Sequence, residues 1–234
     1  MPVFLLSDKF IFPSAELAGN DGLLAVGGDL KQKRLLLAYQ MGIFPWFSDG
    51  DPILWWSPDP RLVLYPPEIK ISRSLQRLIR KQAFQITMDT AFERVVRECV
   101  SVRIENDEDT WITEEMIDAY CRLHASGYAH SVEVWSDGRI AGGLYGVSLG
   151  RCFFGESMFT RIANGSKVAL VALTRYLTGL SFTMIDCQVT SDHLLRFGAR
   201  EIPRQDFLEQ LKGALDFPTI RGRWAMDEKT INRS

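Results

Sequence analysis

The chain has 234 residues, 46% of them hydrophobic and 24% charged, and its 27 basic and 29 acidic side chains leave a formal net charge of -2. Such a composition belongs to a globular chain with one sizeable core, or a core plus a small accessory domain, and excludes general disorder. No apolar run approaches the roughly 20 residues of a membrane span, and the opening MPVFLLSDKF has neither the basic start nor the apolar stretch of a signal peptide, so a cytoplasmic protein is expected.

From the N-terminus, NDGLLAVGGDL, a short helical run KQKRLLLAYQMG and the segment GIFPWFSDGDPILWWSPDPR are dense in turn residues. They predict a small, loop-rich N-terminal domain over residues 1–62. The last segment sets Trp46, Trp55 and Trp56 among Pro45, Pro52, Pro58 and Pro60, which restrict the chain before folding and so hold an aromatic platform in place. Adjacent side chains of an extended chain point to opposite sides, so Trp55 and Trp56 cannot both face one ligand and are read as structural.

Residues 63–234 alternate between strand-like and helix-like segments. RLVLYP is followed by KISRSLQRLIRK, in which Lys70, Arg73, Arg77, Arg80 and Lys81 occur with no acid. The arginines recur at helical spacing opposite Leu75, Leu78 and Ile79, which predicts an amphipathic helix with a basic outer stripe. A solvated face and a phosphate-binding face are both open readings of that stripe. QITM and helices through AFERVVRECV and TEEMIDAYCRLHASG come next, with an acidic run between them at Glu105, Asp107, Glu108 and Asp109 that balances the stripe and predicts a bipolar surface. HSVEVW, RIAGGLYGVSLGRCFFGESMF, the helix SKVALVALTRYLTG and FTMIDCQV complete an α+β domain, a largely antiparallel sheet flanked by helices. Cys99, Cys121, Cys152 and Cys187 are scattered, form no C-x-x-C and have three histidines as possible helpers. Reduced thiols are expected, with neither a metal site nor a disulfide framework.

Two strands carry acids that a core strand avoids. Regular alternation puts Met184, Asp186 and Gln188 on one face of FTMIDCQV, and Phe154, Glu156 and Met158 on one face of CFFGESMF. A buried carboxylate is costly unless paired or hydrogen-bonded, so each acid has either a structural partner or a chemical task. Ser166 is the expected N-cap of the following helix and Gly179 its stop. The broad apolar face at Val168, Leu170, Val171, Leu173 and Leu177 is either filled core or partly the wall of a pocket.

GLLAVGGDL, GIFPWFSDGDPILWWSPDPR, TWIT, HSVEVW, GGLYGV, GESMF and IDCQV, in this order and across nearly the whole chain, resemble the leucyl/phenylalanyl-tRNA-protein transferase family. The resemblance implies an enzyme that moves leucine or phenylalanine from its charged tRNA to a protein beginning with Arg or Lys, creating an N-terminal degradation signal. It further implies an acetyltransferase-like (GNAT-like) fold for the C-terminal domain. Trp46 and Trp111 would stack on the terminal adenosine of the tRNA, since single-stranded bases are held on aromatic faces. Lys70, Arg73, Arg77, Arg80 and Lys81 would follow the acceptor-stem phosphates. Leu144, Met158, Leu170, Leu173 and Leu177 would form the aminoacyl side-chain pocket, where relaxed acceptance of methionine is expected. Some family members carry Met at 144 and Phe at 173 and 177, so this pocket would differ in shape.

An aminoacyl ester is already activated, so transfer calls for an uncharged amine, positioning and oxyanion stabilisation, with no ATP, metal or other cofactor. Asp186 is the candidate for accepting the amine proton and Gln188 for relaying or fixing its hydrogen bonds. Glu156 would hold an ammonium group or orient the aminoacyl moiety. Two rival readings are an acetyl-CoA enzyme, against which SMFTRIANGSK lacks a glycine cluster for the pyrophosphate, and a non-catalytic tRNA-binding module.

Overall fold

The computed structural model describes residues 3–107 and 110–226, so Glu108 and Asp109 of the acidic run lie outside the described residues. Strands β1 (Phe4–Leu6) and β2 (Leu23–Gly27), helix α1 (Gln32–Gln40), and strands β3 (Phe44–Pro45) and β4 (Leu54–Trp56) make up the N-terminal part. Its strands form one sheet in the order β1-β2-β4-β3. Turns and loops still make up most of this part, as the loop-rich expectation has it. The aromatic segment doubles back on itself, pairing Phe44 with Trp56 and Pro45 with Trp55. Trp55 is fully buried and donates its Nε1–H to the Gly27 carbonyl at 2.8 Å, while Trp56 donates to the Trp46 carbonyl at 2.6 Å. Both rings brace the segment, as read from the sequence.

The remainder consists of β5 (Arg61–Leu64), α2 (Arg73–Arg80), β6 (Gln85–Met88), α3 (Phe92–Glu105), α4 (Glu114–Ala125), β7 (Ala129–Ser136), β8 (Arg139–Leu149), β9 (Cys152–Thr160), α5 (Gly165–Gly179), β10 (Met184–Gln188), α6 (Asp192–Leu195), β11 (Arg200–Ile202) and α7 (Arg204–Leu215). Seven strands form a sheet in the order β11-β5-β10-β9-β8-β7-β6, antiparallel except for the parallel pair β9/β10. This is the α+β architecture expected, a mainly antiparallel sheet flanked by helices. The change of sheet falls between Trp56 and Arg61, slightly before the change of composition at residue 62.

Apolar side chains fill two layers, one on each face of the large sheet. One layer is continuous with the N-terminal part and holds Tyr39, Trp55, Tyr120, Phe154, Met184 and Phe207. The other lies beneath α2 and α5 and holds Leu75, Ile79, Leu144, Phe153, Leu170, Leu173 and Ile185. Helix α2 is capped by Ser72, whose Oγ accepts from the Leu75 N–H at 3.3 Å, and it buries Leu75 and Ile79 while its cations stay exposed. At the start of α5 the cap expectation is corrected. Asn164, at φ +73°, precedes the helix and Ser166 lies inside it, bonded to Thr160. Gly165 is required there, because a Cβ on it would come within 2.3 Å of the Ala141 carbonyl oxygen on β8.

The parallel strands separate where the site begins. Pairing of β9 with β10 runs only from Cys152 opposite Met184 to Phe154 opposite Asp186. Each strand then carries an irregularity, between Tyr145/Gly146 in the β8/β9 pairing and between Asp186/Gln188 in the β10/β5 pairing. Such bulges re-aim side chains. They also overturn the simple alternation. Phe154 and Met158 pack on opposite layers, and Gln188, at φ +63°, no longer follows Asp186.

Candidate active site

The gap between the diverging strands opens into a cleft of about 620 Å³. Trp46 and Trp111 line it, the first 41% exposed directly after β3 and the second in the α3–α4 connection. Its apolar wall includes Leu144, Phe153, Met158, Leu170, Leu173 and Ile185, and its polar lining includes Glu156, Ser157, Gln188 and His193. A cleft that is mostly apolar with a few convergent polar groups is the usual form of a small-molecule site. Leu177 is corrected. It is fully buried among the α5 core residues and is absent from the cleft lining, because it lies one turn further along the helix than Leu173.

Glu156 is the acid of the cleft. Its Oε1 accepts from the Tyr39 hydroxyl at 2.8 Å and from Gln188 Nε2 at 3.0 Å, and its Oε2 accepts from the Tyr120 hydroxyl at 2.7 Å. The two hydroxyls are themselves 2.5 Å apart. Two tyrosine protons cannot give each of these three O···O contacts its own hydrogen. The ring closes when Glu156 carries the third proton, each of the three residues then donating once and one carboxyl oxygen donating to a tyrosine while the other accepts. Burial pushes the Glu156 carboxyl up to about 7 against the pull of the Tyr120 and Tyr39 hydrogen bonds, and the nearby Asp186 charge adds to the rise. Burial and the Glu156 charge likewise push both tyrosines well above their ordinary range, so they remain protonated donors.

Asp186 is enclosed. It is 0% exposed, both its oxygens are bound by Arg61, with Nε at 2.8 Å and Nη2 at 2.7 Å, and it does not line the cleft. Direct capture of an incoming amine's proton by this carboxylate, the expectation from the sequence, meets a side chain that is buried, paired with Arg61 and absent from the cleft lining. Asp186 Oδ1 also accepts the backbone N–H of Gln188 at 2.9 Å. Arg61 is buried too, with the rings of Phe44 and Phe207 4.8 and 4.5 Å from its guanidinium. The salt bridge thus ties the N-terminal sheet and α7 to the floor of the site.

Tyr39, Tyr120 and Arg61 escape a reading by motif. The tyrosines sit in apolar helical stripes where they look like core, and their hydroxyls acquire meaning only on meeting Glu156. Arg61 does leave a signal, as the single charge in the strand RLVL.

The basic stripe lies on the far side of α5's layer. Lys70, Arg73, Arg77, Arg80 and Lys81 are all exposed, the three arginines on α2, which packs against α5, and the lysines just before and after it. The four cysteines are free. Among the described residues no group of three or more His, Cys, Asp or Glu side chains is placed to hold a metal ion, and no helix is long and apolar enough to cross a membrane.

Comparison with known proteins gives the same family twice. Residues 63–212 match the model "Leucyl/phenylalanyl-tRNA protein transferase" and residues 28–59 match that family's N-terminal domain. Proteins named leucyl/phenylalanyl-tRNA--protein transferase are similar over most of the chain. That of Desulforapulum autotrophicum is 58% identical, covering 96% of this chain and 98% of its own, and that of Syntrophobacter fumaroxidans is 60% identical, covering 90% of each. Among solved structures, L-PGS from Bacillus licheniformis is similar with a TM-score of 0.41 at 10% identity, covering 86% of this chain and 66% of that one. An aminoglycoside acetyltransferase solved with sisomicin gives 0.39 at 10% identity, covering 63% and 99%.

Proposed function

We propose, for a chain that belongs to the leucyl/phenylalanyl-tRNA protein transferase family, that it transfers leucine or phenylalanine, and methionine less selectively, from aminoacyl-tRNA to proteins beginning with Arg or Lys. The new peptide bond leaves an apolar first residue that serves as a degradation signal. One observation carries the reading: a single cleft holds two tryptophans, an apolar recess and a carboxyl group bonded to two tyrosine hydroxyls and the Gln188 amide.

Each part has a task that follows from its chemistry. Trp46 and Trp111 stack on the unpaired 3′ adenosine, each stack contributing about 1–3 kcal/mol. Leu144, Met158, Leu170 and Leu173 receive the amino-acid side chain, and the exposed cations of α2 follow the acceptor-stem phosphates. Glu156 takes the proton that the acceptor amine gives up as its nitrogen attacks the ester carbonyl. Gln188 spends one amide hydrogen on Glu156. Its second is available to the carbonyl oxygen as negative charge develops there. The ester C–O bond then breaks, and the ribose oxygen leaves with the proton Glu156 returns. A carboxyl near 7 suits both halves of that exchange, since an N-terminal amine has an ordinary pKa of about 8. The same carboxylate favours an acceptor whose first residue brings positive charge.

The test is transfer of labelled leucine from its tRNA to a peptide starting with Arg. Labelling that disappears when the peptide starts with an acidic residue is expected. Absence of labelling while tRNA still binds would leave only a binding module, and labelling from acetyl-CoA instead would favour the acetyltransferase reading.

A further inference from the structure

Beyond α7 the chain runs without regular structure back along the large sheet, outside the residues that match either family model. It is tied down at successive points. The Thr219 hydroxyl accepts from the Gly150 N–H at 2.9 Å, Arg221 Nη2 donates to the Ser126 carbonyl at 2.8 Å, and the Trp224 N–H donates to Asp89 Oδ2 at 2.6 Å. The result is a strap that carries an indole ring, 2% exposed, into the layer shared with α5.

The indole occupies a specific niche. His130 of β7 pairs with Gly146 of β8, which pairs with Gly155 of β9. Gly146 has no side chain, and the vacancy above it is filled by Phe153, whose ring would lie 2.6 Å from a Cβ at that position. Trp224 then covers this row. It stacks on His130 at 3.7 Å between centroids and 6° between planes, and its ring centre is 6.0 Å from that of Phe153. His130 is fixed in turn by Asp89, Nδ1 to Oδ2 at 2.8 Å, so one carboxylate holds both the imidazole and the strap's backbone. Phe153 lines the cleft and Trp224 does not.

We infer that Trp224 is a positioning residue for amino-acid selection: held by Asp89 and His130, it backs Phe153 and so fixes the depth of the recess that takes the aminoacyl side chain. The inference rests on the reading of the recess at Leu144, Leu170 and Leu173 as the seat of that side chain. Phe153 has the bare Gly146 on one side and the indole on another, so removing the indole gives the ring room to withdraw from the cleft. A deeper recess favours phenylalanine over leucine. A part of the chain remote from the reacting atoms thereby sets specificity while leaving the chemistry alone.

The experiment compares kcat/KM for Leu-tRNA and Phe-tRNA, with one Arg-initiated peptide, in the full-length protein and in Trp224→Leu, Trp224→Phe and Leu170→Phe. Trp224→Leu should raise the Phe:Leu ratio about five- to tenfold, in the range that filling or emptying part of an apolar pocket commands. KM for the peptide and affinity for a terminal-adenosine fragment should be unchanged, and Trp224→Phe, which keeps an aromatic plate, should restore most of the original ratio. If Trp224→Leu does not fold by circular dichroism, Trp224→Met, of similar volume but unbranched and more adaptable, is read the same way. An unchanged ratio in a folded Trp224 variant, with Leu170→Phe shifting it, overturns the inference and spares the pocket reading. An unchanged ratio in both overturns the pocket reading and the inference with it.

Discussion

Arg61 and Asp186 form a bidentate pair, 2.8 and 2.7 Å apart, in which neither side chain reaches solvent. An ion pair this enclosed is dangerous to halve, because the surviving charge keeps its desolvation cost and loses its partner. Asp186→Ala should therefore destabilise the whole fold by about 3–5 kcal/mol. Urea unfolding checks this, and transfer and tRNA binding should fall together with the folded fraction. The double variant Arg61→Met/Asp186→Leu should regain much of that stability. A single Asp186→Ala protein of normal stability that has lost only kcat would return Asp186 to the role of proton acceptor.

Glu156 sets two pH dependences with opposite consequences. Transfer needs it ionised, so the rate should rise with pH through about 7. Stability runs the other way. The folded carboxyl holds its proton more tightly than the unfolded one, so its contribution is complete below the ordinary 4.5 and is lost as pH rises through about 7. Glu156→Gln should abolish transfer and also remove that decline, leaving the variant more stable than the parent at pH 8 by roughly 3 kcal/mol. Thermal melts of both proteins from pH 4 to pH 8 (roughly the span of the shift) compare the slopes; parallel curves would count against a proton-laden Glu156.

Tyr39 and Tyr120 both stabilise the ionised Glu156 by donating to it. Removing either hydroxyl should push its proton affinity up further. The acid limb of the pH–rate profile of Tyr39→Phe or Tyr120→Phe should move toward higher pH by about one unit, with the plateau rate less affected than the limb. A limb that stays in place would separate the tyrosines from the titrating group.

Trp111→Ala should weaken binding of a terminal-adenosine fragment by about 5- to 150-fold, the equivalent of one lost stack. Trp46→Ala should have an effect of the same order, enlarged by the loss of its packing on Trp56, whose ring centre is 6.1 Å away. Fluorescence titration reads both. Unaltered affinity in either variant would move the adenosine elsewhere.

Removing Arg77 and Arg80 together should lower the slope of log K against log salt for tRNA by roughly 1.5, as two phosphate contacts require. Both side chains are exposed and α2 keeps Leu75 and Ile79 buried, so the fold should be indifferent to the change. Equal slopes would leave the stripe as a solvated face.

Local pattern alone determined most of the elements. The basic helix, its buried Leu75 and Ile79, the alternating strands around GGLYGV and GESMF, and the two acids on neighbouring strands were legible because helical and strand periodicity are properties of adjacent residues. The recess at Leu144, Met158, Leu170 and Leu173 was likewise legible, through family resemblance. Tertiary structure decided which acid faces the cleft. Alternation predicts that Asp186 and Gln188 share a face, and two bulges undo it, turning Glu156 into the cleft and leaving Asp186 to Arg61, 125 residues away in the chain. The tyrosine ring around Glu156 draws on α1, α4 and β9, and the strap that seats Trp224 depends on Asp89 and His130 meeting it across the sheet. Contacts of that kind are fixed by packing between distant segments, where the cost of an unpartnered buried charge selects the partner, and no window of neighbouring residues contains them.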